Sequence, residues 1–225
     1  HQIDWIQFDE PALVKDMGKE DISFFHQIYD AILPDKKQCH VLLQTYFGDI
    51  RDVYEDVCAM PFDGIGLDFI EGKQTRQLVE EKGFPKEKLL FAGLVNGKNI
   101  WKNHYERTLQ ELHALEEKQI KAVLSTSCSL LHVPYTLRHE EELAKEAVCY
   151  FAFAEEKLLE LQQLRALAEC EDAEKEAAYQ ANQELFAKKR DCENQEVTKR
   201  LSKVTEKDYV RLPERKVRQQ LQKEE

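Results

Sequence analysis

Five apolar runs in the first 130 residues each close on a polar or glycine-bearing cluster, with helix-like sequence between them, and this rhythm most restricts what the chain can fold into. The runs are Ile3–Phe8 before Asp9-Glu10-Pro11, Val41–Leu43 before Gln44–Asp49, Ile65–Leu67 before Asp68–Gly72, Leu89–Val95 before Asn96-Gly97, and Ala122–Leu124 before Ser125–Ser129. Strands of a parallel sheet buried on both faces read as continuous apolar stretches. Strand, helix and parallel strand make the βαβ unit, whose connection is right-handed almost without exception. The expected fold class is therefore α/β, either part of a (β/α)8 barrel or an open sheet. In both, ligands bind at the carboxyl ends of the strands, where the polar clusters fall.

The helix-like segments between the runs are roughly Ser23–Leu33, Asp49–Ala59, Gln74–Lys82 and Trp101–Glu117. Glycine and proline punctuate this first part, but Tyr135 to Leu212 contains neither, so long helices are expected there. Leu143, Ala147, Phe151, Ala154, Leu158, Leu161 and Leu164 recur at steps of three and four and read as one helical face. The charged sequence after Asp191 reads as a connector. The expected organisation is 1–139 as barrel strands and helices, and 140–225 as a helical extension and interdomain connector. A barrel needs eight strands and ~250 residues. Five strands are therefore expected to be a partial barrel that associates with itself or with the missing half, because exposed sheet edges invite pairing.

A net charge of −11 argues against nonspecific nucleic-acid binding, which depends on Lys and Arg neutralising phosphates. No apolar stretch approaches the ~20 residues of a membrane span, and no secretory signal is visible, so a cytoplasmic protein handling small molecules is expected. Six cysteines are scattered without a CxxC pair and are expected to be reduced.

Asp9 and Glu10 stand at a strand end and could accept a hydrogen bond or act in acid–base chemistry; the alternative is helix capping and local ion pairing. Cys128, four residues before His132, invites a metal site or a nucleophile–base pair, against a buried inert thiol as the expected case. Candidate further ligands are Asp68 and the Gln44–Tyr46 strand end, while Cys39 and His40 lie at the opposite end of their strand. Asn96–Trp101 could form an anion-binding turn entering a helix, with Trp101 a packing anchor. His26, His104, His113 and His139 are expected to be ordinary exposed or half-exposed histidines.

The strings Trp5–Leu13 (WIQFDEPAL), Phe62–Gly72 (FDGIGLDFIEG), Leu89–Trp101 (LLFAGLVNGKNIW) and Val123–Pro134 (VLSTSCSLLHVP), in that order, resemble the amino-terminal half of cobalamin-independent methionine synthases across essentially the whole chain. The resemblance implies two related (β/α)8 barrels. The carboxyl-terminal barrel holds zinc, homocysteine and the chemistry, and its amino-terminal copy helps bind the polyglutamate tail of the folate. This chain would be about strands four to eight of that copy.

Where the catalytic copy has zinc ligands, the matching positions here are Gln44, Tyr46, Asp68 and Cys128, so only the last ligand is retained. Its substrate-binding acid matches Asp9, and its proton-donating His matches, approximately, Lys98. The implied reaction of the intact enzyme moves a methyl group from 5-methyltetrahydropteroyl-polyglutamate to homocysteine, with zinc as its cofactor. This portion is then expected to be noncatalytic and structural, with no catalytic, cofactor or metal residues of its own. The rival reading is a stand-alone enzyme with a repurposed pocket at Asp9, Asp68 and Cys128.

Overall fold

The computed structural model describes residues 3–187 and 195–209. Its contacts divide the chain into two units, 1–187 and 188–225. Strands β1 (Trp5–Asp9), β2 (His40–Gln44), β3 (Gly64–Asp68), β4 (Leu89–Val95) and β5 (Lys121–Thr126) form one parallel sheet in the order β1-β2-β3-β4-β5. Between them run α1 (Lys19–Ile32), α2 (Tyr54–Ala59), α3 (Thr75–Lys82) and α4 (Tyr105–Glu117). Sequential order with crossovers of one hand places every helix on the same side, as in a barrel segment and unlike a doubly wound sheet.

Residues alternate between the two sides. Val41, Leu43, Ile65, Leu67, Leu90 and Ala92 are buried in one core with Tyr29 of α1, Val57 of α2, Leu78 and Val79 of α3, and Leu109 and Leu112 of α4. On the other side, the register sets Asp9 beside Gln44, Gln44 beside Gly66, Gly66 beside Phe91 and Phe91 beside Val123. That side is concave and mixed: the Trp5 and Phe91 rings meet edge-on at 5.9 Å, and Trp5 and Val123 remain 39% and 36% exposed. The reading of continuous runs as burial on both faces holds for β3, buried at every residue, and for all but the first residue of β2, whereas the edge strands β1 and β5 remain exposed or half-exposed.

Local sequence explains the helix starts. Asp21 accepts the Gly18 N–H at 2.9 Å, so α1 begins four residues before Ser23. The Asp49–Ala59 segment is helical only from Tyr54, because Asp49 and Asp52 bind neighbouring loops instead: Asp49 accepts the Gln74 N–H at 3.3 Å and Asp52 the Met17 N–H at 3.0 Å. Likewise α4 starts at Tyr105, since residues 100–102 pair with 150–152 through an antiparallel bridge between Trp101 and Phe151.

Beyond Tyr135 the structure differs from an unbroken helix. It holds α5 (Lys145–Val148), α6 (Ala154–Ala168) and α7 (Ala177–Ala187), with irregular chain between them. The stripe from Leu143 to Leu164 does not form one face: Phe151 sits in the bridge and Leu158 is 57% exposed, whereas α6 buries Lys157, Glu160, Leu164 and Leu167. α6 packs on α4 and on β4 and β5, and α7 packs on α4. In the second unit, α8 (Gln195–Leu201) and a short turn at Glu206–Tyr209 are described; Cys192 and residues 210–225 of the expected connector lie outside the described residues. Among the described residues no helix is long and apolar enough to cross a membrane.

Candidate functional site

The strand ends converge on a small polar cavity of about 260 Å³ lined by Gln7, Asp9, Gln44, Tyr46, Cys128 and the hydroxyl residues Ser125, Thr126 and Ser129. The motif Asp9-Glu10 divides at this point, because successive strand residues point to opposite faces. Asp9 faces the cavity, where Gln7 Nε2 donates to its Oδ1 at 2.7 Å. Glu10 instead accepts the hydroxyl of Tyr29 on α1 at 2.5 Å, a structural tie between layers.

Gln44 lies across Gly66 of the next strand: a Cβ on Gly66 would stand 2.0 Å from Gln44 Oε1. Gln44 Nε2 donates to the carbonyl of Thr45 at 2.9 Å. Tyr46 is held protonated by partial burial and by the Asp9 carboxylate beside it, both of which raise its pKa.

Asp68 is 1% exposed and does not line the cavity. Its Oδ2 accepts the Phe47 N–H at 2.9 Å, and its Oδ1 accepts those of Ile70 and Glu71, both at 2.8 Å. Burial pushes its pKa above the ordinary carboxylate value against the pull of these three donors. The anticipated joint pocket of Asp9, Gln44, Tyr46, Asp68 and Cys128 is therefore corrected: four of the five line it, and Asp68 braces the loop behind.

Cys128 is 4% exposed, and burial raises its thiol pKa. Its Sγ donates to the Ser129 carbonyl at 3.7 Å, and the Ser127 side chain also acts on it. His132 packs on the ring of Phe47 at 5.3 Å between centroids, so the Cys128–His132 spacing does not become a nucleophile–base pair. Lys98 reaches Glu71 at 3.0 Å and lies over the Phe47 ring at 5.6 Å; Glu71 raises its pKa.

In the Asn96–Trp101 turn the backbone N–H groups of Lys98, Asn99 and Trp101 are taken up by side chains of the turn itself and do not converge on an anion. Asn96 Oδ1 accepts the N–H groups of Lys98 and Asn99 at 2.8 and 3.0 Å, and Asn99 Oδ1 accepts that of Trp101 at 3.1 Å. Trp101 is 46% exposed, anchored through its bridge and a ring contact to Phe151 at 5.2 Å. His104 is half-exposed as expected, but its ring lies 4.4 Å from that of Phe186, its Nδ1 is buried with no hydrogen-bond partner, and burial lowers its pKa. His26 bonds Asp56 at 2.7 Å.

Zinc requires about four tetrahedral donors of thiolate, imidazole or carboxylate type. The four matching positions supply an amide turned to a backbone carbonyl, a protonated phenol, a carboxylate occupied by three N–H groups, and a protonated thiol. They do not fit the ion. Among the described residues no group of three or more His, Cys, Asp or Glu side chains is placed to hold a metal.

Comparison with known proteins gives this arrangement a lineage. The chain is similar to proteins named 5-methyltetrahydropteroyltriglutamate–homocysteine methyltransferase. It is 50% identical to that of Streptococcus thermophilus over 219 residues, covering 97% of this chain and 28% of the relative. It is 46% identical to that of Lactococcus lactis subsp. lactis over 211 residues, covering 94% and 27%. It is 44% identical to that of Campylobacter jejuni subsp. jejuni over 223 residues, covering 99% and 29%. The chain thus spans less than a third of the length of these relatives. Residues 1–120 match the family model described as cobalamin-independent synthase, N-terminal domain, and the chain belongs to that family.

Proposed function

We propose that this chain is the noncatalytic part of a cobalamin-independent methionine synthase, with residues 1–139 as strands four to eight of the amino-terminal barrel and 140–225 as the helical extension and connector. The intact enzyme transfers a methyl group from 5-methyltetrahydropteroyl-polyglutamate to homocysteine in the cytoplasm, releasing methionine. Its zinc and its homocysteine site belong to the carboxyl-terminal barrel, outside this chain.

The observation that carries the reading is the condition of the strand-end side chains. A methyl transferase of this kind needs a thiolate held and activated by a metal. Here Asp68 is occupied by three N–H donors and Cys128 is a buried thiol, which also disfavours a stand-alone enzyme built on Asp9, Asp68 and Cys128. What remains is a frame. The exposed concave face around Trp5, Phe91 and Val123 supports pairing with the remaining half of the barrel, or with a second copy when the chain is alone.

The test is methyl transfer by the purified chain with homocysteine, 5-methyltetrahydropteroyltriglutamate and zinc supplied. No methionine above the uncatalysed background is expected. Turnover abolished by Cys128→Ser would overturn the structural role.

A further inference from the structure

The strand-end cavity of about 260 Å³ keeps polar groups that the protein does not use for its own bonds. Gln44 is 7% exposed, and its Nε2 is taken by the Thr45 carbonyl at 2.9 Å. Its Oε1 has no hydrogen-bond partner among the described residues and is not sealed from the cavity. Glu160 Oε2 on α6 also lacks a hydrogen-bond partner, but it has no accessible surface and offers a ligand nothing.

The unused groups are of both kinds. On the accepting side, Gln44 Oε1 is joined by the carboxylate of Asp9, of which Oδ1 takes Gln7 Nε2 at 2.7 Å. On the donating side, the Ser129 hydroxyl accepts the Leu131 N–H at 3.3 Å and keeps its own proton uncommitted, and the Thr126 hydroxyl makes no hydrogen bond among the described residues. Asp9 is the one charged residue of the lining, and Lys98, whose charge reaches Cys128, is held by Glu71 at 3.0 Å. An anion would therefore meet a carboxylate with no cation beside it. An ammonium only donates, and would leave the hydroxyl protons of Thr126 and Ser129 without acceptors.

The geometry points to a binding site for a small uncharged polyol, of monosaccharide size or below, whose hydroxyls donate to Asp9 and Gln44 Oε1 and accept from Thr126 and Ser129. A hydroxyl is the group that gives and takes a hydrogen bond at once, which is what a lining of mixed, unspent donors and acceptors requires. Ligand pockets usually run to roughly 300–1,000 Å³, so this smaller cavity selects for a compact ligand. Its place at the carboxyl ends of parallel strands is where folds of this class hold ligands. The site calls for no metal, thiolate or proton transfer, and stands or falls separately from the methyl-transfer reading.

The test is ligand-observed NMR titration of the full chain with xylitol, D-ribose and myo-inositol, beside ethylammonium and inorganic phosphate. Saturable binding of at least one of the three polyols is expected, with ethylammonium and phosphate weaker by about tenfold or more. Asp9 is exposed, so Asp9→Ala should fold with an unchanged urea midpoint and weaken the bound polyol by about tenfold or more. If its midpoint falls, Thr126→Val, which removes one donor, decides in its place. No saturable binding of any of the three polyols at tens of millimolar, which would leave the cavity to water, overturns the proposal. Ethylammonium or phosphate binding as tightly as the best polyol, or unaltered polyol binding by the deciding variant, overturns it as well.

Discussion

Asp68 holds Phe47 in a backbone conformation that a phenylalanine rarely adopts: its Oδ2 accepts the Phe47 N–H at 2.9 Å while Phe47 stands at φ 73°. The Phe47 ring then packs against Tyr46, His132 and Lys98 at 4.9, 5.3 and 5.6 Å, forming the outer wall behind the strand-end cavity. A left-handed non-glycine residue of this size persists only when its surroundings impose it.

Asp68→Asn should therefore destabilise the chain. An amide cannot accept three N–H bonds through two oxygens, and its NH2 would face a donor. Hydrogen bonds to a charged group are worth about 1.5–3 kcal/mol, and a loss of that size should appear in the urea midpoint. An unchanged midpoint would show that Asp68 does not brace the loop.

The packing of Gln44 over Gly66 gives a second expectation. Gly66→Ala places a methyl group where Gln44 Oε1 now sits, 2.0 Å away, and forces that side chain off the sheet. Overpacking of this kind costs about 1–3 kcal/mol. The double variant Gly66→Ala with Gln44→Ala should recover part of that loss; failure to recover any would remove the Gln44 contact as its cause.

Three buried phenols make the fold sensitive to alkali. Tyr29, Tyr54 and Tyr105 are 1%, 2% and 4% exposed, and burial raises the pKa of each far above the ordinary 10.0, with Glu10 adding to the effect at Tyr29. Above that unfolded value the unfolded state loses protons that the folded state keeps, so stability is full below about pH 10 and falls as pH rises. Urea midpoints from pH 8 to 11.5 should drop in the upper part of this range, and phenolate absorbance should appear with unfolding. A flat profile would contradict the burial of these hydroxyls.

Thiol labelling should follow exposure. Cys149 is exposed and Cys128 is buried with a raised pKa, and the thiolate is the reactive form. Peptide mapping after brief alkylation at neutral pH should find Cys149 modified and Cys128 intact until denaturant is added. Early modification of Cys128 would revive the enzyme reading.

The strands were legible in sequence because each is an apolar run long enough to cross the sheet, and Leu43, Ile65 and Leu90 are fully buried where the runs place them. The composition of the concave face was not, since Trp5 and Phe91 are as apolar as the residues that face the helices. Spacing also misled beyond Tyr135. The buried positions of α6 include Lys157 and Glu160, which hydropathy assigns to solvent; their burial is supported by their opposite charges and by the Trp101 carbonyl and Asn103 N–H, more than fifty residues away in sequence.

At the site, Asp9, Gln44, Tyr46 and Cys128 could be gathered from strand ends alone. The fate of Asp68 could not, because it depends on where the loop after its own strand and the loop after β2 turn their N–H groups. Nothing in the spacing announced the unpartnered oxygen of Glu160 either, which arises from the packing of α6 beside α4 and α7.

Each strand end is fastened to the strand beside it through main-chain atoms. Glu10 N donates to the Gln44 carbonyl at 2.9 Å, Thr45 N to Gly66 at 2.9 Å, Phe69 N to Gly93 at 3.2 Å and Ser127 N to Val95 at 2.8 Å. Main-chain fastening is indifferent to the identity of the side chains that project into the bowl. Shape and chemistry can therefore drift apart in such a scaffold: a lineage can discard a reactive set, and a protein engineer can install another, while the seams between strands stay closed.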